Sequence, residues 1–97
     1  MSVELLKDEK VIFDLNKNYN VIIHNDDKTT FDCVIGVLIN VFNFSDQNAF
    51  FTTLAVHKMG SAIVGTYSKD IAETKKMEAI DLAREEGYPL MLTVEEA

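Results

Sequence analysis

Tyr19-Asn20-Val21-Ile22-Ile23-His24-Asn25-Asp26-Asp27-Lys28-Thr29-Thr30-Phe31-Asp32 is the stretch on which the fold turns. Its first six residues, Tyr19–His24, form a compact β-prone run, halted by the polar cluster Asn25-Asp26-Asp27-Lys28. From Thr30 the period changes. Phe31, Val34, Ile35, Leu38, Val41 and Phe42 recur at spacings of three and four, which predicts a helix with one apolar face. Thr29 or Thr30 supplies the N-cap, and Asp32 suits the positive end of the helix dipole.

Downstream, Asn43-Phe44-Ser45-Asp46 breaks that helix, and Ser45, with Asn48 or Asp46, caps a second one running to Lys58. Ala49, Phe50, Thr53, Leu54 and His57 share one side of it, and Gly60 fits a left-handed C-terminal cap. Residues 62–67 alternate as a strand, with Gly65 marking a bulge or a close backbone approach. Ser68 or Asp70 opens a third helix over residues 71–86, ended by Gly87 and Pro89, and residues 90–94 form a last strand. The order β-α-α-β-α-β predicts an α/β (α+β) single domain, a small three-stranded sheet covered on one face by three helices. Upstream, residues 1–18 alternate charge with isolated apolar side chains and end in Asn16-Lys17-Asn18. They read as a flexible N-terminal arm with a strand-like piece at Val11-Ile12-Phe13, leaving residues 19–97 as the folded domain.

Bulk composition narrows the function classes. A chain of 97 residues, 47% hydrophobic, supports one domain with a modest core. Its longest apolar runs, Val21-Ile22-Ile23 and Val37-Leu38-Ile39, fall far short of the roughly 20 residues a membrane span needs. The opening MSVELLKDEK lacks the order of a signal peptide, and the single cysteine, Cys33, has no internal partner; both predict a cytoplasmic protein. Nine basic against sixteen acidic residues give a net charge of −7 and no basic stripe, which argues against nucleic acid. An acidic surface suits cationic partners such as protonated amines.

Two polar features stand out. His24-Asn25-Asp26-Asp27 is the densest cluster, ordinarily a solvated turn. His57 lies late in the second helix, where a histidine ordinarily favours the dipole. A metal-dependent hydrolase built on His24, Asp26, Asp27 and His57 lacks HExxH, paired CxxC and a phosphate-cradling glycine loop. Cys33 falls inside the first amphipathic helix, where burial leaves a thiol inert. Such a hydrolase is thinly supported and stays an alternative, which metal analysis of the purified chain decides. The leading reading has no catalysis, cofactor or metal.

Further stretches add to the opening one: Leu54-Ala55-Val56-His57-Lys58-Met59-Gly60, Asp70-Ile71-Ala72-Glu73-Thr74-Lys75, Ala83-Arg84-Glu85 and Pro89-Leu90. With the Asn25-Asp26-Asp27 run they resemble, in order, the ClpS adaptor family, whose pattern is a strand, NDD, a T-P-M-E-F-like helix start, V-H-x-x-G, V-A-E-T-K, A-R-E and P-L. The resemblance runs from about Tyr19 to Ala97. It implies a fold similar to the C-terminal domain of the ribosomal stalk protein, and a monomeric adaptor without catalytic activity. Such an adaptor binds an N-terminal Leu, Phe, Tyr or Trp of a substrate protein and delivers it to the N-terminal domain of a ClpA- or ClpC-like AAA+ unfoldase. It also implies that Asn25, Asp27 and His57 contact the substrate α-amine directly or through water, with Asp26 a neighbouring or structural acceptor. An α-ammonium has three donors, so acceptors from several directions suit it. The family's hydrophobic pocket maps onto Thr29, Phe31, Val34, Thr53, Val56 and Leu90, and its unfoldase-binding face onto Asp70, Glu73 and Lys75. Phe31 and Thr53 stand where the family usually and often, respectively, has methionine, which implies a shifted preference among Leu, Phe, Tyr and Trp; Thr30 replaces a common proline. A scaffold domain that uses NDD merely as a turn remains the alternative. It would bind folded partners whether or not an α-amine is blocked.

Overall fold

The computed structural model describes residues 17–97. Most of the expected arm, including Val11-Ile12-Phe13, lies outside the described residues. In chain order the elements are β1 (Tyr19–His24), α1 (Phe31–Asn40), α2 (Asp46–Met59), β2 (Ser61–Tyr67), α3 (Lys69–Glu85) and β3 (Met91–Glu96). The strands form one antiparallel sheet in the order β2-β1-β3, so the first strand is the central one. Val21 and Ile23 on β1 are fully buried beneath the helices, and Val64 of β2 and Leu92 of β3 are buried with them. On α3 the core contacts are Ala72, Ala79 and Ala83, all fully buried. Their short side chains let the helix lie close against the sheet. Val34, Val37 and Leu38 of α1 and Ala49 and Val56 of α2 complete the core. Among the described residues no helix is long and apolar enough to cross a membrane.

Local chemistry sets the boundaries. Ser45 caps α2 by accepting a hydrogen bond from the Asn48 amide at 3.2 Å, and Gly60 ends it at φ 95°. A bulge falls between Val21 and Ile22, which pair with Gly65 and Ile63, leaving Val64 as the extra residue. Gly65 leaves room for the Tyr67 ring, which a Cβ at that position would push aside. One helix is shorter than its apolar period suggests. α1 stops at Asn40, and Asn43 reverses the chain at φ 59°, so Val41 and Phe42 reach the core from a turn instead. Conversely β3 runs to Glu96, because its partner β1 begins at Tyr19, which pairs with Glu96. The last two residues of the expected arm join the same end. Asn18 accepts from the Ala97 amide at 2.9 Å, and Lys17 lies 3.7 Å from the Glu96 carboxylate.

Candidate functional site

The pairing of β1 with β2 ends at His24 opposite Ser61, and the ladder then gains one further bond. The Asn25 amide donates to the Gly60 carbonyl at 2.8 Å. This fixes the start of the polar loop against the last turn of α2, one turn from His57. The loop is then shaped from within. Asp26 Oδ1 accepts from the Lys28 amide at 2.8 Å and the Thr29 amide at 2.7 Å, while Oδ2 accepts from the Thr29 hydroxyl at 2.7 Å. Such an aspartate turn replaces backbone bonds the loop cannot make. Burial by itself raises the Asp26 carboxyl. The Thr29 and Lys28 hydrogen bonds, with the Arg84 charge nearby, outweigh it and hold the group below its ordinary value of 3.8. Thr30 then caps α1, accepting from the Cys33 amide at 3.2 Å.

Between this loop, α1 and α2 lies a cavity of about 400 Å³. The loop contributes Asn25, Asp26, Asp27, Lys28, Thr29 and Thr30, α1 contributes Phe31 and Val34, and α2 contributes Thr53, Val56 and His57. Val34, Thr53 and Val56 are buried and supply the apolar side. The Thr53 hydroxyl donates to the Ala49 carbonyl at 2.7 Å, so its hydrogen-bonding capacity is met within the helix. At the rim the Phe31 and His57 rings meet edge to face, 5.4 Å between centroids. Among the described residues, no hydrogen bond or ion pair engages the side chains of Asn25, Asp27 or His57. The cavity therefore offers open acceptors at its mouth and hydrocarbon inside.

The structure brings together every residue expected around an α-amine, and every expected wall residue except Leu90. Leu90 is 1% exposed in the core beneath the sheet and does not line the cavity. Lys28 and Thr30 also line it, although from sequence Lys28 is placed only in the polar loop and Thr30 only at the helix entry; both belong to the same short loop. His24, which a hydrolase needs beside the aspartates, shares a 2.8 Å hydrogen bond with Thr93 across the sheet and is not part of the lining. Among the described residues no group of three or more His, Cys, Asp or Glu side chains is placed to hold a metal ion. Cys33 is buried, and burial, followed by the Glu86 and Asp26 carboxylates, pushes its thiol up to about 11. On α3, Asp70 is exposed in the first turn. Glu73 pairs with Lys76 at 3.0 Å, and Lys75 Nζ donates to the Val41 carbonyl at 2.9 Å, capping the end of α1.

Comparison with known proteins agrees with this layout. The family described as ATP-dependent Clp protease adaptor protein ClpS matches residues 14–93. The ATP-dependent Clp protease adapter protein ClpS of Clostridium acetobutylicum is 54% identical over 80 residues, covering 82% of this chain and 79% of that protein. Its namesake in Neisseria gonorrhoeae is 40% identical over 80 residues, covering 82% of this chain and 77% of that one. Among solved structures, Agrobacterium tumefaciens ClpS2 bound to L-phenylalaninamide matches with a TM-score of 0.81 at 43% identity, covering 84% of this chain and 98% of that one. The chain belongs to the ClpS family of ATP-dependent Clp protease adaptor proteins.

Proposed function

We propose that the cavity binds the free N-terminal residue of other proteins and that the chain hands them to a Clp AAA+ unfoldase in the cytoplasm, performing no chemistry itself. The observation that carries this reading is the pairing of open acceptors on Asn25, Asp27 and His57 with the buried apolar wall of Val34, Thr53 and Val56. A leading residue has the complementary halves, an ammonium and a side chain. L-phenylalaninamide, held by the Agrobacterium relative, has both a free α-amine and an aromatic group. Burying one Leu or Phe side chain gives about 1.5–3 kcal/mol. Each hydrogen bond to the charged amine adds about 1.5–3 kcal/mol, and association costs at least about 4 kcal/mol. Affinity reaches the micromolar range only when both halves engage.

Phe31 and Thr53 set the preference among Leu, Phe, Tyr and Trp in this reading, one wall stiffened by an aromatic ring and the other made smaller. Asp70 and Glu73 face the unfoldase's N-terminal domain, while Lys75, engaged with Val41, supports that face from within.

Fluorescence anisotropy with Leu- and Phe-initiated peptides tests the proposal. Acetylating the α-amine is expected to weaken binding at least about 100-fold, the loss of more than one charge-assisted hydrogen bond. Raising the pH above about 8 should weaken the free peptide as its amine deprotonates. Equal binding before and after acetylation would return the chain to the scaffold reading.

A further inference from the structure

We propose that Phe31 is a positioning residue for the α-amine site, its ring holding the His57 imidazole in one orientation before a substrate arrives. This rests on the function proposed for the cavity. Phe31 opens α1 and His57 lies near the end of α2, and their rings meet edge to face, with centroids 5.4 Å apart and planes at 66°. That arrangement sets the positive edge of one ring against the negative face of the other, so it is preferred over a random contact. Phe31 is 36% exposed, unlike the buried Val34 and Val56, which puts it at the rim beside His57 and not within the apolar wall.

His57 has little else to orient it. The residue is exposed, and among the described residues no hydrogen bond or ion pair engages its ring, which leaves the Phe31 contact as its one directional interaction. Exposed side chains without partners hop between rotamers in picoseconds to nanoseconds. Each side chain that binding must immobilise then lowers affinity, and an acceptor already held in place avoids that loss. Phe31 can serve as the fixed partner because its own backbone is fixed. It follows Thr30, whose hydroxyl accepts from the Cys33 amide, and Thr29, whose amide is held by the Asp26 carboxylate. On the facing side His57 lies one turn before Gly60, whose carbonyl accepts from the Asn25 amide. Both ring carriers are thus tied to the same loop.

A double-mutant cycle on the full chain tests this, with Phe31→Leu, His57→Ala and the pair titrated against a labelled Leu-initiated peptide. Leucine removes the ring yet keeps an apolar side chain at the rim, so any loss of wall contact is the same with or without His57. The affinity lost through Phe31→Leu is expected to be about two- to tenfold larger with His57 present than in the His57→Ala background, the scale of one side chain immobilised on binding. Phe31→Tyr, which keeps the ring, should stay within about twofold of the parent. In the free protein, NMR couplings that report the His57 χ1 angle should show one rotamer in the parent and in Phe31→Tyr, and averaging in Phe31→Leu. Equal losses in both backgrounds, or couplings untouched by Phe31→Leu, overturn the proposal. An acetylated peptide separates this failure from that of the cavity reading. If acetylation weakens binding while the cycle shows no coupling, Phe31 does not position His57 and the amine site stands. If acetylation changes nothing, both fall.

Discussion

At the cavity mouth, Asn25, Asp27 and His57 stand in solvent with no hydrogen-bonding or ionic partner for their side chains, whereas at the head of α3 Glu73 and Lys75 are each engaged by the protein itself. Composition does not separate these regions, since both are polar, carry charged residues and lie close to a helix end. What separates them is whether the polar groups are already satisfied. Near the mouth a single residue, Asp26, takes up the hydrogen bonds that hold the loop, which leaves its neighbours open. Beside α3 the lysine closes the end of α1 instead.

The sharpest way to break this contrast is to remove an open acceptor. Asn25→Ala and His57→Ala are each expected to lower affinity for a Leu-initiated peptide about 10- to 100-fold, the scale of one hydrogen bond to a charged group. The midpoint of urea unfolding should not move. A variant that binds like the parent would mean its acceptor plays no part in recognition.

Substituting the adjacent aspartates sharpens the same contrast. Asp26→Ala removes three hydrogen bonds within the loop and should cost about 1–2 kcal/mol of stability. Asp27→Ala should leave the unfolding midpoint in place while weakening peptide binding. The pH dependence follows from the lowered Asp26 carboxyl. A carboxyl held below its unfolded value stabilises the fold fully above that value, and the contribution disappears as pH falls through the lowered one. Parent stability should therefore decline below about pH 4 more steeply than that of Asp26→Asn, a difference read from urea midpoints. Parallel curves would remove Asp26 from its framework role.

The smallest effects belong to α3. Lys75→Met should lose about 0.5–1.5 kcal/mol through the uncapped Val41 carbonyl, and Glu73→Gln, which breaks an exposed pair, should change stability by less than about 0.5 kcal/mol. A neutral Lys75→Met that nevertheless binds an unfoldase N-terminal domain poorly would move Lys75 from the framework to the partner surface.

Much of this was legible in the residues themselves. A compact β-prone run marked β1, alternation marked β2, three-four spacing marked α1, and Ser45, Gly60 and Gly65 announced a cap, a helix stop and a bulge, because each signal is local. Val41 and Phe42 misled the helix period, since buried apolar residues look alike whether a helix or a turn carries them. Leu90 was expected in the pocket wall and lies in the core, and Lys28 was placed only in the polar loop although it lines the cavity. Apolar or charged character says what a side chain seeks, not which surface it meets.

Order of elements, apolar faces and the family resemblance all follow from residue type and spacing, which depend only on chain neighbours. Tertiary packing decided the rest. By making β1 the central strand and extending its ladder from Asn25 to Gly60, it set a loop beside a helix end far away in the chain. It also decided which polar groups were engaged and which stayed open, because a hydrogen bond depends on distance in space, and spacing along the chain does not give that distance.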